Sequence, residues 1–255
     1  MSGVGKHFSR FDPTPSRSPE ECERHYTQVH VHMAQELLRP MPSLLSYHTN
    51  RAVAQADING GWNQRPRAWR FAVLRFAPGE TLAFSPEQNE MVAQDHVNCL
   101  YRLRSCEAEE TVLLDRVGGQ TALAKFMLEA DRPASVDSEQ AWSSFTELAD
   151  RVLAAMDGAF GARALFLNRV LNEVECEPLD VEGQRPIGLL DATTRVGYLE
   201  AYFDHRRWGE QALGVLARDG ALGRVRDLVD VNFLRVEEEA PLDVRPGRPQ
   251  AQGTT

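Results

Sequence analysis

The feature that most constrains this chain is an order of elements that it spells twice. Periodicity and turn signals read as strand, helix, strand, strand, helix, strand, with strands over 6–11, 45–53, 68–76 and 107–114. The two helices begin at Ser18 and Ser85, the second running to about Leu103. After Gly118-Gly119 the order returns. Strands are expected over 122–130, 164–174, 195–203 and 231–237, with a helix from Ser138 to about Phe160. A last helix is capped by Asp204, with a further piece through Val225 and Leu228. Short echoes accompany the repeat: Asn50-Arg51 in one half falls on Asn168-Arg169 in the other. A β-α-β-β-α-β unit makes an antiparallel four-stranded sheet with both helices on one face, which leaves the other face bare. Two such sheets hide their bare faces against each other. The expected fold is therefore α+β: two tandem ferredoxin-like units, 1–117 and 118–240, packed sheet to sheet within one chain. Residues 241–255, rich in Pro, Gly, Gln and Thr, read as a disordered tail.

The helix and strand of the first half carry the densest set of reactive side chains. Ser18, Pro19 and Glu21 form a capping box with proline at the first helical position. Cys22, Tyr26, Val29, Met33 and Leu37 follow at spacings of three and four, one apolar stripe on a helix of about five turns. His30 lies beside Tyr26 and Ala34 on one flank; His25, His32 and Glu36 lie on the other. Pro40 and Pro42 end the helix. The strand then alternates, with Ser46, His48 and Asn50 on one face and Leu45, Tyr47, Thr49 and Arg51 on the other. A helix and strand that bring His30, Tyr47, His48 and Asn50 towards one cleft would make a small-molecule site. Imidazole titrates near neutrality, so His30 suits general acid/base work. Tyr47 or Asn50 suits stabilisation of an enolate oxygen. Tyr47 and His48 cannot share a face of a regular strand, and the His48/Asn50 face is the one that two packed sheets would enclose. Tyr26 reads as pocket wall, and Trp69 and Phe71 could stack on an aromatic substrate or pack in the core.

The run Tyr26-Thr-Gln-Val-His30, then Met33-Ala34, Pro42-Ser-Leu44 and Tyr47, resembles the dimeric α/β barrel superfamily and, within it, the EthD-like proteins. The match covers about residues 5–55. Val31-His32 stands where Gly-Pro is usual, and Ser43 where glycine is usual. The resemblance implies a mixed set of activities: polyketide cyclases, decarboxylases and dehydratases, and oxygenases that work without a cofactor or with reduced flavin. The expected function is a tailoring enzyme, a lyase or cyclase acting on a small hydrophobic aromatic polyketide-like substrate. His30, Tyr47, His48 and Asn50 are its catalytic candidates, and Tyr26, Met33, Trp69 and Phe71 its substrate contacts. The alternatives are a monooxygenase on the same scaffold and a non-catalytic binding barrel. No resident cofactor is expected; reduced flavin as a co-substrate is the alternative.

Other classes are disfavoured. A formal charge of −9 argues against binding a nucleic-acid backbone. No phosphate loop or nucleophile elbow is present. Cys22, Cys99, Cys106 and Cys176 form no CxxC pair and read as reduced thiols. His25, His32 and Glu36 have spacings that could bind a metal, but a solvated helix face explains them better, so no metal is expected. His96 reads as exposed. With no apolar leader and no run of about 18 apolar residues, a cytoplasmic protein, monomeric or homodimeric, is expected.

Overall fold

The computed structural model describes residues 5–117, 123–176, 194–219 and 229–243. Gly118-Gly119, the piece through Val225 and Leu228, and residues 244–255 lie outside the described residues. In chain order the elements are β1 (Gly5–Pro13), α1 (Pro19–His25), a π-helical turn (Tyr26–His30), α2 (Val31–Leu38), β2 (Leu44–Ala56), β3 (Trp62–Asn63), β4 (Arg70–Phe76), α3 (Pro86–His96) and β5 (Leu100–Asp115). The second half follows with β6 (Ala124–Asp131), α4 (Ser138–Asp157), β7 (Ala162–Cys176), β8 (Arg195–Phe203), α5 (Arg206–Arg218) and β9 (Asp230–Asp243).

The halves are joined at both sheet edges. The strand order is β3-β2-β4-β1-β5-β7-β8-β6-β9, and β9 pairs back onto β2. Without the two-residue β3, eight antiparallel strands close into a barrel. Within each half the order is that of a ferredoxin-like unit. The last strand of each half reaches into the other: β5 pairs with β7 and β9 with β2. These long-range pairings explain where the sequence reading falls short. The helix expected to run to Leu103 ends at His96, because residues from Leu100 onward pair with β1. Pro241, Leu242 and Asp243, assigned to the tail, belong to β9, where Leu242 faces Tyr47 and Asp243 faces Ser46.

Local signals at the helix starts are mostly realised as written. Ser18 and Ser85 both form complete capping boxes, with Glu21 and Gln88 reaching back. α4 is capped by Asp137. α5 is capped by His205 rather than Asp204, whose carboxylate is taken by Arg163. At Gly161, with φ +73°, the chain turns from α4 into β7 beneath Trp208, where a Cβ would collide with the indole.

Three cores result. In the second half Phe145, Leu148, Val152 and Met156 of α4 bury against Leu165, Leu199 and Leu213, each such side chain contributing about 1.5–3 kcal/mol. In the first half Cys22, Tyr26, Val31 and Leu38 cover Tyr47, Ala72, Leu74 and Phe76. The third core fills the barrel: Phe8 stacks on Tyr198 at 4.3 Å, surrounded by Phe71, Val73, Met127 and Val236. Charged groups lie above and below this apolar middle. At one end Glu200 takes Lys6 from the first half and Lys125 from the second, at 2.9 Å for Lys125, while Glu110 and Glu238 flank the lysines. At the other end Arg195 meets Glu129 at 2.7 Å, and Arg10 joins it at 3.1 Å. Burial opposes every one of these charges. The lysines outweigh it for Glu200, whose carboxyl is held well below its usual range.

Candidate active site

The π turn decides which side chains face inward. In a π turn each N–H reaches back five residues, and here the Val31 amide donates to the Tyr26 carbonyl. The extra residue rotates the stripe that the sequence predicts. Val29 is 46% exposed, while His30 is 5% exposed. The inward line is Cys22, Tyr26, His30 and Val31. Tyr26 and His30 lie ring to ring at 4.8 Å.

His30 sits between the helices and the outer face of the first half's sheet. Its Nδ1 is 2.7 Å from Oδ2 of Asp95 on α3, and His25 Nε2 is 2.8 Å from the other carboxylate oxygen. An ionised carboxylate only accepts, so Nδ1 of His30 donates to Asp95, and whenever the ring is neutral Nε2 holds the lone pair. Burial disfavours the charge on Asp95, but the hydrogen bonds and charges of His30 and His25 outweigh it, and its pKa falls below the ordinary value. His96 is 5.2 Å from His30, ring to ring. Burial, aided by the His30 charge, pushes His96 down to about 3, so it is neutral near pH 7.

Two further hydroxyls lie buried on the same side of the sheet as Tyr26. The Tyr26 and Tyr47 side chains are fully buried, and Thr49 shares the helix-facing side of β2 with Tyr47. The Tyr26 and Tyr47 hydroxyls lie within reach of each other, and among the described residues neither they nor the Thr49 hydroxyl makes a hydrogen bond of regular geometry. Burial raises both tyrosine pKa values, well above the ordinary value for Tyr26. They therefore stay protonated and act as donors. The Arg70 guanidinium lies 4.5 Å from the Tyr26 ring centre and is neutralised by Glu23, which also accepts from Trp69 Nε1 at 3.2 Å.

The sheet separates the residues expected in one cleft. Tyr26, His30, Tyr47 and Trp69 gather on the helix side, with Met33 half-buried on α2. His48, Asn50 and Phe71 point into the barrel, because β2 holds the alternation of a regular strand against β4: Asn50 faces Phe71 and His48 faces Val73. His48 Nδ1 is 3.2 Å from Glu238, and fully buried Asn50 has no side-chain partner among the described residues. The single cleft is corrected to two separate environments. Asp95 was missed, and His96, read as exposed, is half-buried against His30 and Phe11. Their helix, PEQNEMVAQDH, has few apolar residues to reveal its inner face. The available signal was the capping box at Ser85, which starts the helix that carries both.

No protein-family model matches the chain, and no curated protein sequence does. Two solved structures share its architecture over nearly their whole lengths. One is of an anthrone oxidase-like protein, at a TM-score of 0.56 and 12% identity, covering 100% of this chain and 98% of that chain. The other is of a candidate monooxygenase from Fusobacterium nucleatum subsp. nucleatum, at a TM-score of 0.51 and 11% identity, covering 94% of this chain and 95% of that one. The fold is that of the dimeric α/β barrels. In this barrel the two units that the fold's name assigns to a dimer lie in one chain, β1–β5 and β6–β9. At these identities the likeness is one of fold. Among the described residues of this barrel, no group of His, Cys, Asp and Glu is arranged to hold a metal, and no helix is long and apolar enough to cross a membrane.

Proposed function

We propose that this barrel is an enzyme that oxidises a small hydrophobic aromatic molecule with oxygen, using His30 as the base that starts the reaction. The observation that carries this reading is the Asp95–His30 pair, 2.7 Å apart, with the Tyr26 ring 4.8 Å from His30 and Tyr47 buried in the same cluster. A carboxylate that fixes Nδ1–H leaves Nε2 to take a proton from a phenol or from a methylene next to a carbonyl. The Tyr26 and Tyr47 hydroxyls, both buried from water, then donate to the enolate oxygen that forms. An electron-rich carbanion of this kind adds oxygen to give a hydroperoxide, which loses water to leave a carbonyl. The sum is CH2 + O2 → C=O + H2O, with the methylene oxidised and no outside reductant consumed. Phe11, Tyr26 and Trp69 supply aromatic surface around the base. The names of the two similar structures, an oxidase-like protein and a candidate monooxygenase, make oxygen the co-substrate to test first.

Because the chemistry asked of His30 is proton transfer alone, cyclisation, dehydration or decarboxylation of the same substrate class is the second reading. The test is incubation with a panel of anthrones and related aromatic polyketides, with and without oxygen and with and without reduced flavin, read by mass spectrometry and an oxygen electrode. Oxygen uptake matched to product supports the oxidation. Loss of water or carbon dioxide under anaerobic conditions moves the assignment to a lyase. His30→Ala should lose at least about 100-fold in turnover, as expected for a general base. Unimpaired turnover in that variant sinks both readings.

A further inference from the structure

A second cleft lies in the other half of the chain, where α4 begins over β7 and β8. It offers about 270 Å³ and is bordered by Arg132, Arg169, Arg195, Trp142, Glu109 and Glu139. That volume is just under the roughly 300 Å³ at which small-ligand pockets usually begin, so it suits a compact molecule.

The internal repeat explains why an arginine of this cleft lacks the acid that holds its counterpart. In the first half Glu23 lies five residues after the helix cap Ser18 and pairs with both Arg70 and Arg51, the latter at 3.9 Å. In the second half the residue five after the cap Asp137 is Trp142, and Arg169 stands at the repeat position of Arg51. The neutralising acid is thus replaced by an indole, and the Arg169 guanidinium lies 5.2 Å from its ring centre. Among the described residues Arg169 makes one ion pair, with Glu139, whose side chain is 70% exposed, while Glu109 stands opposite it in the β5–β7 register. An exposed pair of this kind is worth about 0–1 kcal/mol, so an incoming anion displaces it at little cost. Arg132 donates to the Val136 carbonyl at 2.6 Å and pairs with no carboxylate among the described residues. Arg195 is turned inward to Glu129 and Asp131 and closes the floor of the cleft. Trp142, Leu171 and Val196 add apolar wall.

We propose that this cleft binds a small aromatic carboxylate, with its charge between Arg132 and Arg169 and its ring along Trp142 and Val196. Two guanidiniums in reach of one carboxylate give charge-assisted hydrogen bonds, and the apolar wall selects a ring over a bare anion. The site is separate from His30 and does not depend on the proposed oxidation.

The experiment is isothermal titration calorimetry of the full chain with benzoate, and with inorganic phosphate as the bare-anion probe. Saturable binding of benzoate is expected, weakened about tenfold or more in Arg132→Gln, largely recovered in Arg132→Lys, and unchanged in His30→Ala. A circular dichroism spectrum matching the parent confirms that the variants are folded. Absence of saturable heat at millimolar benzoate overturns the proposal, as does equal affinity in Arg132→Gln. Phosphate binding as tightly as benzoate overturns the aromatic specificity, and loss of benzoate binding in His30→Ala places the ligand in the other half.

Discussion

Acid should destabilise this protein well before its carboxylates titrate, because two half-buried histidines are held neutral. Burial pushes His96 down to about 3 and His7 to about 4, against 6.5 for a free imidazole. The His7 Nδ1 has no partner among the described residues. Both folded pKa values are depressed, so below pH 6.5 the unfolded chain takes up protons that the folded chain refuses. Stability is present above 6.5 and is lost as pH falls towards 4 for His7 and towards 3 for His96. At pH 5 the solution is about 1.5 pH units below the free value of each imidazole and still above both folded values, and at about 1.36 kcal/mol per unit that is ~2 kcal/mol apiece. The ceiling is about 4 kcal/mol for the pair, a large share of the roughly 5–15 kcal/mol that holds a native protein together. With a urea slope near the upper end of the usual range, about 3 kcal/mol per molar, the midpoint should fall by about 1.3 M between pH 7 and pH 5. The assay is urea unfolding at both pH values on the parent and on His7→Phe/His96→Phe. The double variant should lose most of the pH dependence. An unchanged midpoint in the parent, or an unchanged pH shift in the double variant, would refute the argument.

Three other outcomes follow from the same structure. Glu200→Gln leaves Lys6 and Lys125 in the barrel without their shared carboxylate, and should cost about 3–5 kcal/mol by denaturant unfolding; a loss under 1 kcal/mol would mean that water reaches the lysines. Phe8→Ala removes a fully buried ring stacked on Tyr198 of the other half and should cost about 3–5 kcal/mol, with both halves unfolding in one transition. The barrel closes within one chain through β5–β7 and β9–β2, so a folded species at the monomer mass of 28.6 kDa should be seen by sedimentation at high dilution; an obligate dimer whose sheets pair only between chains would contradict closure in one chain.

Much of the fold was legible because it rests on local signals. The capping boxes at Ser18 and Ser85 place two helix starts, and the strand over 195–203 is realised at the same bounds. Alternation along β2 divides Ser46, His48 and Asn50 from Tyr47 and Thr49, and the tertiary structure keeps that division. The bare second face of each four-stranded sheet, read from element order, leads to the barrel. These are properties of the chain over a few residues, where propensity and period act directly.

The site was less legible, because it depends on distance across the fold. His30 stands out in the sequence, yet its inward aim comes from a π turn that no spacing rule revealed, and Val29 took its place in the predicted stripe. Asp95 is 65 residues away and meets His30 only after α3 docks beside α1 and α2. The lengths of β5 and β9 were set by β1 and β6 in their own halves together with β7 and β2 in the other, not by their own residues. By itself, the sequence determined the repeated unit, its helix starts and the faces of its strands, since these follow from local backbone geometry and the burial of one apolar face. Only the tertiary structure decided which charges meet inside the barrel and which carboxylate holds His30, because a buried charge chooses its partner by proximity in space, and proximity exists only once the chain has closed.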